Sequence, residues 1–189
     1  MARVTPRPLT TGEAALARSV FGDTIDYARV TITDKKYMPF QPQGTAMAPN
    51  GHLYMYGCYK DDYSREHDGW KSHFIHEMTH VWQQQNNILN PVREAVKLSI
   101  TFKFNYNAAY DYKLEQGKDL LAYNMEQQAS IVQDYFMIKH CGHDAHRGHC
   151  TNTENAADKM ALYENVLADF LKKTAPPQNK NGGPKPPAV

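Results

Sequence analysis

His76-Glu77-Met78-Thr79-His80, within Lys71-Ser-His-Phe-Ile-His-Glu-Met-Thr-His-Val-Trp-Gln83, constrains this chain more than any other stretch. On an α-helix, residues i and i+4 stand one above the other on the same face. The spacing therefore lets both imidazoles reach one Zn²⁺ at Zn–N distances of about 2.0–2.1 Å. Glu77 follows the first ligand and projects beside the metal, where it can accept a proton from bound water. The bland alternative is a helix that happens to hold two histidines. Against it, Trp70, Phe74, Ile75, Met78, Val81 and Trp82 recur at helical spacing and predict a mostly buried helix from about Gly69 to Asn86. Two histidines and a glutamate buried there without partners are costly, and a metal satisfies them.

A catalytic zinc keeps three protein ligands and one open position, so a further His, Glu, Asp or Cys is needed from a separate element. Lys118 to Lys139 reads as a long helix with an apolar stripe of Leu121, Met125, Ala129, Val132, Phe136 and Met137. Glu126 on that helix is the best candidate; a solvated helix-face glutamate is the alternative. Ser130 and Asp134 follow one and two turns later, and either could hydrogen-bond the second nitrogen of a ligating histidine. If the site performs acyl transfer, a further donor must meet the oxyanion. Tyr123, one turn before Glu126, is a candidate, as are Tyr110 and Tyr112, and each also suits a core or groove.

Around these residues the pattern is that of one α+β domain, mainly helical, with a small antiparallel sheet before the metal helix. The 189 residues suffice for a single core. Residues 1–9 read as an extended lead-in, interrupted by Pro6 and Pro8. Thr10 and Glu13 form a capping box that opens a helix ending near Gly22. Ile25 to Thr33 reads as a strand. Ala46-Met47-Ala48 and His52 to Tyr56 flank Pro49-Asn50-Gly51, a hairpin signal. Residues 92–114 mix helical and alternating patterns. Thr151 and Glu154 make a second capping box, before a last helix with Met160, Tyr163, Leu167, Phe170 and Leu171 inward. The domain is expected over 10–173, with a disordered Pro/Gly-rich tail over 174–189.

His140 to Cys150 packs four histidines and two cysteines into eleven residues. A Cys141–Cys150 disulfide, a second metal site and a plain polar loop compete there. The net charge of +1 leaves no electrostatic footprint for nucleic acid or a membrane surface. No apolar run is long enough for a membrane span, and Met1 to Pro8 lacks the apolar core of a signal peptide. Synthesis as a soluble cytoplasmic protein is expected.

His76-Glu77-x-x-His80 followed by a helical Glu126 resembles the gluzincin branch of zinc metallopeptidases. Several pieces together resemble, more closely, the metallopeptidase toxin domain fused to, or encoded with, VgrG spike proteins of bacterial type VI secretion. They are Leu9-Thr-Thr-Gly-Glu13 with Phe21-Gly-Asp23, Ala46-Met-Ala-Pro-Asn-Gly51, Phe74-Ile-His-Glu-Met-Thr-His-Val-Trp-Gln83 and Asn124-Met-Glu-Gln-Gln-Ala129. The resemblance implies a zincin-like fold with His76, His80 and Glu126 as zinc ligands and Glu77 as catalytic base. It also implies an antibacterial metalloprotease delivered by type VI secretion to the periplasm of a rival cell, a VgrG spike as carrier, and a cognate immunity protein in the producer. The chain departs from it in having no spike portion. Two alternatives stay open: a non-enzymatic binding module with a structural zinc, and a zinc hydrolase acting on cell-wall peptide.

Overall fold

A computed structural model describes residues 5–88, 109–143 and 148–175. The elements in order are β1 (Arg7–Pro8), α1 (Thr11–Phe21), β2 (Thr31–Thr33), β3 (Thr45–Met47), β4 (Leu53–Tyr56), α2 (Asp68–Gln85), α3 (Met125–Cys141), α4 (Ala156–Val166) and α5 (Ala168–Thr174). The architecture is α+β, with five helices and a four-stranded sheet among the described residues. Residues 92–108 of the ambiguous segment and 176–189 of the tail lie outside them, so the expectations placed there have no structural counterpart.

The hairpin signal is met. β3 and β4 pair antiparallel with Thr45 opposite Tyr56 and Met47 opposite Tyr54. One pairing of the sheet departs from the antiparallel expectation. The strand order is β1-β2-β4-β3, and β2 runs parallel to β4, with Ile32 opposite Leu53. The lead-in contributes too, because Arg7 and Pro8 pair with Ile32 and Thr31. Proline is tolerated there because an edge strand leaves one side of its backbone without a ladder partner. What fixes β1 in place is remote in sequence. Arg7 donates two 2.8 Å bonds to the fully buried Glu13 carboxylate, which also accepts from the backbone of Thr10 and Tyr63. A buried carboxylate with four donors is satisfied rather than costly.

The Thr10–Glu13 capping box forms as expected, and α1 ends at Gly22 with φ +54°. Elsewhere the helix starts move. The region around residue 120 is a short 3₁₀ turn, Leu120–Ala122, and α3 begins only after Asn124. Asn124 caps α3 by accepting from the backbone of Glu126 and Gln127. Near the C-terminus Asn155, not Thr151, is the N-cap, and the expected single helix breaks at Leu167.

Two helices dominate the packing: α2 lies along α3. Every residue of α2 from Phe74 to Gln83 is buried. Phe74 stacks on Tyr63 with ring centres 5.4 Å apart, and Trp82 meets Phe170 of α5 edge-on at 5.0 Å. His76, Glu77 and His80 of α2 therefore sit on a rod held from both sides.

Beneath α3, Tyr163 donates to the Tyr112 hydroxyl at 2.7 Å, and Tyr112 in turn donates to Asp134 at 2.6 Å. Burial, followed by the nearby Asp134 charge, pushes both phenols well above the usual tyrosine range. Burial does the same to Tyr63. A folded-state pKa raised above the unfolded value leaves stability intact below about pH 10 and erodes it as pH climbs further. Each such phenol should contribute a slope of up to about 1.4 kcal/mol per pH unit. Urea midpoints measured from pH 8 to 12 should fall steeply only beyond about pH 10; an unchanged midpoint at pH 12 would contradict the buried network.

Candidate metal centre

His76 and His80 project from one face of α2, with ring centres 5.1 Å apart and planes at 80°. Glu126 reaches them from the first turn of α3. Its Oε2 lies 3.3 Å from His76 Nε2 and 3.3 Å from His80 Nε2. One donor atom from each of the three residues falls within 4.8 Å of the others, so the structure brings together the three residues singled out from the sequence. The imidazoles are buried, and the Glu126 side chain is 16% exposed.

The spacing suits a cation better than a hydrogen bond. Charge-assisted N–H···O contacts settle at about 2.7–2.9 Å. Two donors on a tetrahedral ion with bonds of about 2.0–2.1 Å stand about 3.3–3.4 Å apart, by simple geometry on the usual zinc distances. Two imidazole nitrogens and one carboxylate oxygen are also a donor set that zinc accepts while keeping a fourth position open. The charge distribution agrees. Burial alone lowers the proton affinity of His80, but Glu126 more than offsets it and lifts the pKa to about 9. Burial opposes the Glu126 charge, yet the two histidines hold its carboxyl far below the ordinary range. Positive charge is stabilised where the three groups meet.

Glu77, the next residue on α2, is 5% exposed, and its Oε2 has no hydrogen-bond partner among the described residues. A buried carboxylate oxygen left without a donor is expensive and points to a function. Among the described residues no thiol or other carboxylate joins the three-donor cluster. Cys58 Sγ instead lies 4.0 Å from His73 Nε2, and burial pushes its thiol up to about 11.

The groups behind the histidines differ from expectation. His76 Nδ1 lies 2.9 Å from Gln133 Oε1, and His80 Nδ1 lies 2.9 Å from Gln83 Oε1. Neither Ser130 nor Asp134 has that place. Ser130 is fully buried, with no partner for its hydroxyl among the described residues. Asp134 turns away, accepting from the Tyr112 hydroxyl and from the His149 backbone N–H at 3.0 Å. A side chain at Gly148 would collide with the Asp134 carboxylate, and Gly148 also holds φ at +48°, so glycine is required there. Helix geometry accounts for the error. At 3.6 residues per turn, Gln133 stands roughly 20° from Glu126 around α3, whereas Asp134 stands roughly 80° away. Gln83 could have been found from its i+3 relation to His80.

Tyr123 also needs correction. Its hydroxyl donates to the Lys113 carbonyl at 2.9 Å and accepts from the Glu115 N–H at 3.2 Å, which directs it to the loop before α3. Tyr112 is committed to Asp134 and Tyr163. Of the three tyrosines, Tyr110 packs beside His76 of the cluster, its ring centre 6.0 Å from His76 and 5.4 Å from His149.

The cysteines are free thiols, so the Cys141–Cys150 bridge is not formed. Cys141 closes α3, while Cys150 is buried and donates to Asn152 at 3.4 Å. A parallel bridge between Tyr112 and Cys150 anchors that end of the loop instead. Residues 144–147 of the loop lie outside the described set.

No protein-family model matches the chain. Over 135 residues it is 44% identical to the type VI secretion system spike protein VgrG2b of Pseudomonas aeruginosa, a match covering 70% of this chain and 13% of that protein. The chain thus corresponds to a small part of the spike protein's length. Its structure is similar to the effector domain of Pseudomonas aeruginosa VgrG2b with a TM-score of 0.67 and 36% identity, over 87% of this chain and 83% of the domain. Identity at that level over nearly the whole of both chains, on a shared fold, places this chain in the family of the VgrG2b effector domain, an effector family tied to type VI secretion.

Proposed function

We propose that the chain is a zinc-dependent metallopeptidase that acts as an antibacterial type VI secretion effector. The observation that carries the proposal is Glu126 Oε2 at 3.3 Å from both His76 Nε2 and His80 Nε2, with the adjacent buried Glu77 whose Oε2 has no partner among the described residues. His76, His80 and Glu126 would hold the ion. When bound, zinc supplies a Lewis acid that polarises a carbonyl and acidifies water.

The chain's own groups supply the rest. Glu77 Oε2 accepts the proton of the attacking water, and the same carboxyl returns it to the departing amine. Its burial keeps bulk water from competing for that proton. Tyr110, packed against His76, is the described tyrosine placed to steady the carbonyl oxygen as it gains charge. The α+β arrangement, with the paired histidines on a buried helix and the carboxylate on a second helix packed along it, is compatible with a zincin-like fold. The family relationship supports carriage by a VgrG spike, and the reading extends to delivery into a target cell's periplasm and a cognate immunity protein in the producer. No helix of the described residues is long and apolar enough to cross a membrane.

The test combines elemental analysis of the purified chain with cleavage of an unfolded protein substrate. One zinc per chain is expected, with cleavage abolished by a chelator and restored by adding zinc back. A chain that takes up no zinc, or that stays equally active after complete metal removal, would rule the proposal out.

A further inference from the structure

Both imidazoles turn Nε2 toward Glu126, so what stands at Nδ1 decides which nitrogen carries the proton. Behind His80, Gln83 is fully buried and its amide can lie only one way round. Its Nε2 donates at 3.0 Å to the Met125 carbonyl, which can only accept, and at 3.0 Å to Gln128 Oε1. Gln128 is fixed in turn, because its own Nε2 donates to the Tyr123 carbonyl at 2.8 Å. Gln83 Oε1 is therefore left to face His80, where it can only accept. Behind His76 the same logic runs through Ser72, whose hydroxyl donates to the Gly69 carbonyl at 3.0 Å. Ser72 Oγ thus accepts from Gln133 Nε2 at 3.4 Å, and Gln133 Oε1 faces His76.

We propose that Gln83 and Gln133 are positioning residues that hold both imidazoles with the proton on Nδ1, leaving the two Nε2 lone pairs for the metal. The proposal rests on the reading above that a cation binds between His76, His80 and Glu126. Both amides do this without charge. A carboxylate in the same place would draw the Nδ1 proton toward itself and make the imidazole a stronger donor. With neutral acceptors, the three ligating groups carry a single negative charge, that of Glu126. The bound ion keeps more of its acidity, and the site gives up some affinity for it.

The two directions of effect separate positioning from mere packing. In Gln133→Leu the acceptor is lost, and zinc affinity should drop by about tenfold to a hundredfold. In Gln133→Glu the acceptor becomes charged, Ser72 can rotate to donate to it, and affinity should rise by about tenfold. Gln83→Leu should behave like Gln133→Leu. Affinity is read by chelator competition on the full chain, with the visible spectrum of the cobalt-substituted protein as a second measure of ligand geometry. Opposite shifts for Leu and Glu at position 133 support the proposal. Affinities all within twofold of wild type overturn it, and so does equal weakening by Leu and Glu. A wild-type chain that binds no zinc would instead remove the metallopeptidase reading itself, and this proposal with it.

Discussion

Glu77→Gln is expected to retain one zinc per chain and to lose about a thousandfold in peptide hydrolysis, within the range that general-base removal produces. The amide has nearly the shape of the carboxylate and fits the same buried space on α2. It cannot take a proton from water near neutral pH. Because Glu77 Oε2 has no donor among the described residues, neutralising the side chain also relieves a desolvation cost. The thermal midpoint should stay level or rise while activity collapses, a combination typical of a site whose function is maintained at the expense of stability. Turnover, zinc content and thermal midpoint measured on one preparation decide the matter. Hydrolysis within threefold of wild type would remove Glu77 from the mechanism. Targeted to the periplasm of a susceptible cell, wild type should be toxic and the variant harmless.

Glu126→Ala should act on the metal rather than on the proton. Residues behind a ligand change metal affinity by about tenfold to a hundredfold, so loss of a ligand itself should exceed a hundredfold. Glu126 is also the anionic member of the three-donor cluster, and its removal leaves two buried imidazoles facing a cation without compensating charge. Glu126→Gln keeps the size and one acceptor oxygen but drops the charge, and should fall between wild type and alanine. Chelator competition separates the three proteins, and circular dichroism checks that the pairing of α2 and α3 survives. An alanine variant within tenfold of wild type would mean that Glu126 is not a ligand.

Local order is legible along the chain wherever one side chain speaks to its near neighbours. The Thr10–Glu13 box, the Gly22 stop, the hairpin around Asn50-Gly51 and the helix carrying His76 and His80 all rest on contacts a few residues apart. The helix starts were misplaced where a better cap lay nearby. Asn124 serves two backbone donors at once and so outcompetes an earlier start at Lys118. The parallel pairing of β2 with β4 could not be read at all, because the hairpin signal fixes β3 against β4 and says nothing of the outer neighbour. The same holds for Arg7, whose partner Glu13 is visible only once β1 has docked beside α1.

The amino-acid order alone fixed the two imidazoles on a single helical face with Glu77 next to them in the chain, since a period of 3.6 residues requires nothing outside the helix itself. It also singled out Glu126 as a carboxylate suited to join them. Tertiary packing decided everything that depends on the angle at which a second helix meets the first. That angle carries Glu126 to both Nε2 atoms, sets Gln133 rather than Asp134 behind His76, and sends Asp134 to Tyr112 and the His149 backbone. A rotation of α3 by about 100°, the step from one residue to the next, would exchange Gln133 and Asp134 without altering any local preference, so which face of α3 meets α2 was decided by packing.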